Sequence, residues 1–182
     1  WRAFNATVAA TGVLSTGAFP ATFADDLTFN GSVVGATSFV FDGGAFPGIT
    51  GSGNFPGFVC SKSGGAIARP LSAVTVLGGL SVTSGNFQPS APMSVSASAV
   101  FSGGTVSTNG GSIAVTGAVV WSGATATNPP DISCNGNWTG DAGFAPIIGT
   151  VTMSGGTPRT IGGVIVQFNN LVVSAGATRS TT

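Results

Sequence analysis

The 182-residue chain has no histidine, no glutamate and no tyrosine, and charged residues make up only 5% of it. Each absence excludes chemistry. Without histidine there is no Ser-His-Asp triad and no Cys-His pair, and a zinc site lacks ligands. General acid–base work near neutral pH falls to Asp25, Asp26, Asp42, Asp131 and Asp141. A glycosidase needs two carboxyls facing across a sugar bond, whereas adjacent residues such as Asp25 and Asp26 point to opposite faces of a strand. The expectation is a protein that is not an enzyme.

The net charge is zero, which removes the electrostatic case for nucleic acid or an anionic membrane surface. Such a neutral surface is also poorly protected against self-association, and copies of the chain are its expected partners. Long hydrophobic runs are missing too. The longest is Ala118 to Trp121, far below the ~20 residues of a membrane-spanning helix, so no transmembrane segment is expected. Gly-rich pieces such as Gly103-Gly104 are not followed by Gly-Lys-Ser/Thr and form no phosphate loop.

What is present is short-range alternation. Met93, Val95, Ala97, Ala99 and Phe101 alternate with serines, and Ile113, Val115, Val119 and Trp121 hold the same period of two. That is the pattern of a strand with one buried face. Asn30-Gly31 and Asn109-Gly110-Gly111 sit between such runs, where they signal hairpins with φ > 0 turns. Helix is disfavoured by the 30 glycines and the missing 3.6 period. Turn signals about every 8–12 residues predict an all-β fold of about ten to twelve short strands, an antiparallel β-sandwich or jelly-roll-like barrel. A single domain spans 1–182, with a polar tail at 175–182. The stretch Ile161 to Ser174 is apolar on both faces and reads as one strand covered on both sides. The spacing between similar motifs is too uneven for a solenoid of fixed period.

Cys60 and Cys134 are expected to form a disulfide, since neither lies in a metal-binding or redox motif. The bond would add roughly 4 kcal/mol in the chain-entropy model and places the protein in a secreted, extracellular or cell-surface setting. No cofactor is implied. The best hard-oxygen set for a calcium ion is Asn135, Asn137 and Asp141. Its spacing is not that of an EF-hand loop, and Asn and Asp ordinarily serve turns. Sequons occur at Asn5, Asn30 and Asn137 and matter only where the source glycosylates asparagine.

Three Phe-Pro pairs, Phe19-Pro20, Phe46-Pro47 and Phe55-Pro56, mark extended turns with an aromatic plug. Exposed, they would instead form a docking surface for a neighbour or a glycan. Residues 1–14, with Phe4, Ala6, Val8 and Ala10, read either as a donor strand for a neighbouring subunit or as an ordinary edge strand of the same domain. These features together predict a secreted structural subunit that self-assembles into a pilus-like or matrix filament. The alternative is a β-sandwich module that binds a glycan or coats a particle.

Overall fold

The strands are two to five residues long, three being the commonest length. A run this short cannot turn back and pair with its sequence neighbour unless the turn reverses the chain. Here the turns do not. Asn30-Gly31 joins Leu27–Phe29 to Ser32–Val34, yet these two strands lie in different sheets. The turn is a corner, and each strand pairs with the strand one full circuit later. In the computed structural model every strand pair is parallel, and the chain winds as a β-solenoid of about nine turns. The structure describes residues 2–126, 128–156, 158–164, 167–174 and 179–181.

The antiparallel sandwich or jelly-roll barrel expected from the alternation is therefore incorrect, and so are its hairpins. Each coil has three faces. The first face is a ten-stranded sheet from Arg2–Ala3 to Arg179–Thr181. The second runs as six strands from Ala6–Val8 to Thr105–Val106, extended by the bridges Thr105–Thr125 and Ala126–Phe144. The third runs as seven strands from Asn54–Phe55 to Asn170–Val173, and the pair Val13–Ser15 and Ser32–Val34 forms a separate small sheet. Counting coils by their first-face strands, coil 3 begins at Phe39, coil 4 at Phe58 and coil 7 at Val119.

The uneven spacing that argued against a solenoid is therefore misleading: the chain is a solenoid whose period is hidden because coil length varies at the corners. Partners on adjacent coils are 19 residues apart at Arg69 and Gln88, 22 at Thr28 and Thr50, and 23 at Asn137 and Thr160. The stretch Ile161 to Ser174 is likewise not one strand. Its beginning belongs to Arg159–Gly163 on the first face and its end to Asn170–Val173 on the third, and Ile165 and Val166 lie outside the described residues. The tail at 175–182 lies largely outside them as well. No helix among the described residues is long and apolar enough to cross a membrane.

Parallel register stacks like on like. Phe23, Phe41, Cys60, Val82, Phe101 and Trp121 form one inward column of the first face, all buried. Strands about 4.8 Å apart bring aromatic rings in such columns into contact. Within this column Phe101 and Trp121 meet at 4.2 Å, and Phe41 stacks diagonally on Phe58 of the neighbouring column at 4.6 Å. Phe39 meets Phe29 edge-on at 5.1 Å and Phe55 at 5.2 Å across the interior. The polar edge of Trp121 is satisfied locally, its Nε1 donating to the Ala124 carbonyl at 2.5 Å.

The corners impose a second requirement, close approach of backbone between coils. At Gly104, φ is +76° and an added Cβ would lie 2.3 Å from the Gly85 carbonyl oxygen of the coil before. Both the left-handed conformation and the missing side chain are needed there.

Two substitutions test this account. Phe58→Ala removes a ring that touches Phe41, Phe55 and Phe87 and should cost about 3–5 kcal/mol. Gly104→Ala should cost about 1–3 kcal/mol through backbone strain alone. Urea denaturation followed by circular dichroism checks both. An unchanged midpoint for Gly104→Ala would mean that the corner relaxes freely.

Candidate functional site

The carboxylates and amides singled out in the sequence sit at corners and sheet rims, where they bind the next coil. Asn5 Oδ1 accepts from the Asp26 amide at 3.2 Å, and Asp26 Oδ1 accepts from the Gly48 amide at 2.7 Å. Asn30 Oδ1 accepts from the Ser52 amide at 3.0 Å, and Asp131 Oδ1 from the Thr150 amide at 2.7 Å. Asp42 pairs with Arg2 at 3.2 Å. These are bonds from a side-chain acceptor to an amide that the sheet ladder leaves over at a corner.

The calcium candidates are engaged too, each on its own partner, Asn135 and Asn137 on the next coil and Asp141 within its own loop. Asn135 Oδ1 accepts from Ser154 Oγ at 2.6 Å, Asn137 Oδ1 from the Thr160 amide at 3.1 Å, and Asp141 Oδ1 from the Gly143 amide at 2.9 Å. Among the described residues no three histidine, cysteine or acidic side chains gather as a metal site.

The expected disulfide is not formed. Cys60 lies on the first face of coil 4 and Cys134 on the third face of coil 7. Three coils at ~4.8 Å separate them by about 14 Å along the axis, beyond the ~7 Å limit for a bridged pair. Both are buried thiols. Cys60 Sγ donates to the Ser84 carbonyl at 3.5 Å, and Cys134 Sγ to the Gly136 carbonyl at 3.7 Å.

Two residues beyond Cys60 is a group that sequence reasoning passed over. Lys62 is the one buried charged side chain among the described residues, 1% exposed. Its ammonium reaches back two coils to donate to the Ala24 carbonyl at 3.0 Å, and also donates to the Asp42 carbonyl. The only signal was a lone lysine ending an apolar strand. Burial pulls its pKa below the ordinary lysine value, opposed by the nearby Cys60, Asp42 and Asp25 and reinforced by Arg2. Burial likewise pushes the Cys60 thiol from 9.0 up to about 11, against the opposing pull of the Lys62 amide and ammonium.

The Phe-Pro pairs divide. Phe55 is fully buried, an aromatic plug, whereas Phe19 and Phe46 are exposed at 70% and 68%. Phe46 walls an open cleft of about 350 Å³ on the second face, together with Pro47, Gly48, Ile67, Arg69 and Leu71. The cleft exists because one outward column, Asp26, Gly48, Arg69, Gln88, lacks a side chain at Gly48. Arg69 Nη2 donates to Gln88 Oε1 at 2.6 Å, while its Nε is buried with no partner. Two shallower hollows on the third face are lined by small hydroxyl side chains around Ala114, Ser94 and Ser133 on one side and Thr150 and Thr152 on the other.

Of the assembly candidates, Ala6 and Val8 face inward and are half-buried, while Phe4 and Ala10 are exposed. Within the chain, Ala6–Val8 pairs in parallel with Leu27–Phe29. The groove between sandwich sheets that a donor strand was expected to fill is not a feature of this fold. Comparison with protein-family models, with curated proteins and with solved structures finds no match to the chain.

The thiols supply two tests. Native protein should show no mass change on reduction and should alkylate at both cysteines only in denaturant. Stability should also depend on Cys60 above pH 9. Its folded pKa is raised, so its contribution is intact below about 9 and is lost as pH climbs through about 11. By pH 10.5 the stability difference between the native sequence and Cys60→Ala should shrink by about 2 kcal/mol relative to pH 8. Paired denaturation curves under reducing conditions check this; a constant difference would refute the burial argument.

Proposed function

We propose that the chain is a structural subunit that adds end to end with copies of itself into a filament. The observation that supports this most directly is the contrast between the first two coils. Inward residues Ala3, Ala6, Val8 and Leu14 of coil 1 are only half-buried, whereas Phe23, Leu27 and Phe29 of coil 2 are completely buried. Among the described residues coil 1 thus presents apolar side chains and a strand edge without a partner strand to whatever stacks on it. A hollow of about 380 Å³ lies along that edge, bordered by Ala6, Val8, Gly12 and Leu14.

An open strand edge over an apolar cross-section is a template for another chain. Main-chain hydrogen bonds supply affinity, and inward side chains set the register. Because all strands run parallel, a second copy meets this edge with its opposite end. The contact is head-to-tail and grows without closing. The low charge gives little repulsion against that growth. The strand is received at this edge rather than inserted between two sheets, so the reading differs from donor-strand exchange in a sandwich.

The test is Val8→Lys. A half-buried edge position tolerates the charge in the isolated chain but places it inside the next coil in a polymer, where an unpaired charge is costly. The native chain should form filaments in electron micrographs and scatter light above a threshold concentration. The variant should keep its circular dichroism and stay monomeric. Monodisperse native protein at high concentration, or identical polymers from the variant, would refute the proposal.

A further inference from the structure

We infer that the cleft above Gly48 binds a carboxylated sugar of an acidic polysaccharide. The inference is independent of how the chain assembles. It starts from Arg69, which ends up on the second face without a carboxylate partner among the described residues. Its guanidinium carries five N–H donors. One bond is fixed, to Gln88 Oε1, and the Nε–H is buried without an acceptor. Asp26, one column position beyond Gly48, forms no ion pair with it, and its Oδ1 accepts the Gly48 amide. The buried Nε is closed to a ligand, so the Nη hydrogens not spent on Gln88 are the donors open to an oxyanion, which the planar guanidinium can hold with two parallel bonds.

The rest of the cleft says what body carries that anion. Phe46 stands exposed beside it, with Pro47, Ile67 and Leu71 as apolar walls. A bare inorganic anion would leave these surfaces in water. A pyranose ring has an apolar C–H face and a polar rim, so it can cover Phe46 with one and offer its carboxylate to Arg69 with the other. Covering the ring contributes roughly 25 cal/mol per Å² of apolar surface removed from water.

The polar groups beyond Arg69 argue for a chain rather than a single sugar. Gln88 Nε2 donates to Ser107 Oγ at 3.3 Å, and Ser107 Oγ donates to Asn86 Oδ1 at 3.2 Å. Arg69, Gln88 and Ser107 occupy successive coils, so this track of amides and a hydroxyl leads from the cleft along the solenoid axis. Such groups match the hydroxyls of neighbouring sugar residues. Among the described residues no other charged side chain interrupts the track.

The experiment uses the full chain, a galacturonate oligomer and the same oligomer with its carboxylates methyl-esterified. Calorimetry or amide chemical shifts should show binding of the acid, with perturbations at Phe46, Arg69 and Gln88. The ester should bind at least about tenfold more weakly, since a charge-assisted hydrogen bond is worth about 1.5–3 kcal/mol. Arg69→Gln should weaken the acid by a similar factor and leave the weak ester affinity unchanged. Phe46→Ala, at an exposed position that leaves folding intact, should weaken both oligomers together. Equal affinity for acid and ester, undiminished binding by either variant, or no binding of the acid at millimolar concentration would overturn the proposal. Polymerisation is measured separately on the same samples, so a failed sugar site leaves the assembly reading standing, and the reverse.

Discussion

Everything in this molecule depends on the parallel register between coils. Each strand finds its hydrogen-bond partners a full circuit away, so a residue sits above and below residues of equivalent position. An inward column must then be filled by side chains that pack at the ~4.8 Å strand spacing, and aromatic rings do so. The run Phe23, Phe41 and the Phe41–Phe58 stack fill the early coils, while Phe101, Trp121 and Phe144 fill the later ones. The small residues Ala21 and Ala99 occupy the column of Phe39 and Phe58. Packing, not a sequence repeat, is what is conserved from coil to coil.

That register also explains the use of polar residues. A corner leaves amides unpaired by the sheet ladder, and a buried or crowded amide without a partner costs about 1–3 kcal/mol. Asn5 and Asp26 each take the amide one coil on. Asp131 does the same at the rim of the third face. Lys62 reverses the polarity. Its ammonium supplies donors to the Ala24 and Asp42 carbonyls, so acceptors at the corner between first and second faces are satisfied from within. With so few charges in the chain, most of those present act as fasteners between coils. Arg69 stands out against this background because its donors are not used up.

The sequence carried the burial pattern and lost the topology. Met93, Val95, Ala97, Ala99 and Phe101 were expected on one buried face; four of them are buried, and Ala97 is exposed. But Ser96 to Ser98 is a corner between two faces, not the middle of a strand. Alternation says which side of a strand is wet; it does not say whether the next strand turns back or turns aside. A three-residue strand is compatible with both. The repeat itself was hidden because corners absorb insertions: the circuit stretches between Cys60 and Val82 and again between Trp138 and Ile161, which smears any fixed period. The paired cysteines were a compartment argument, and compartment logic says nothing about which face or coil a residue reaches.

The two proposed surfaces lie where the stacking rule is interrupted. Along the axis, Ala6 and Val8 of coil 1 have strand partners on one side only among the described residues. Across the axis the rule is broken at Gly48, where an outward column loses one side chain and the neighbours Phe46, Arg69 and Leu71 are left standing around the gap. An added Cβ at Gly48 would meet Leu71 Cδ1 at 2.9 Å, the movable end of a flexible side chain, and φ there is not in the left-handed region. The backbone does not demand glycine at this position, unlike Gly104. A glycine that geometry does not require, at the floor of a cleft beside a guanidinium with unfilled donors, is better accounted for by the space it leaves than by the fold it permits.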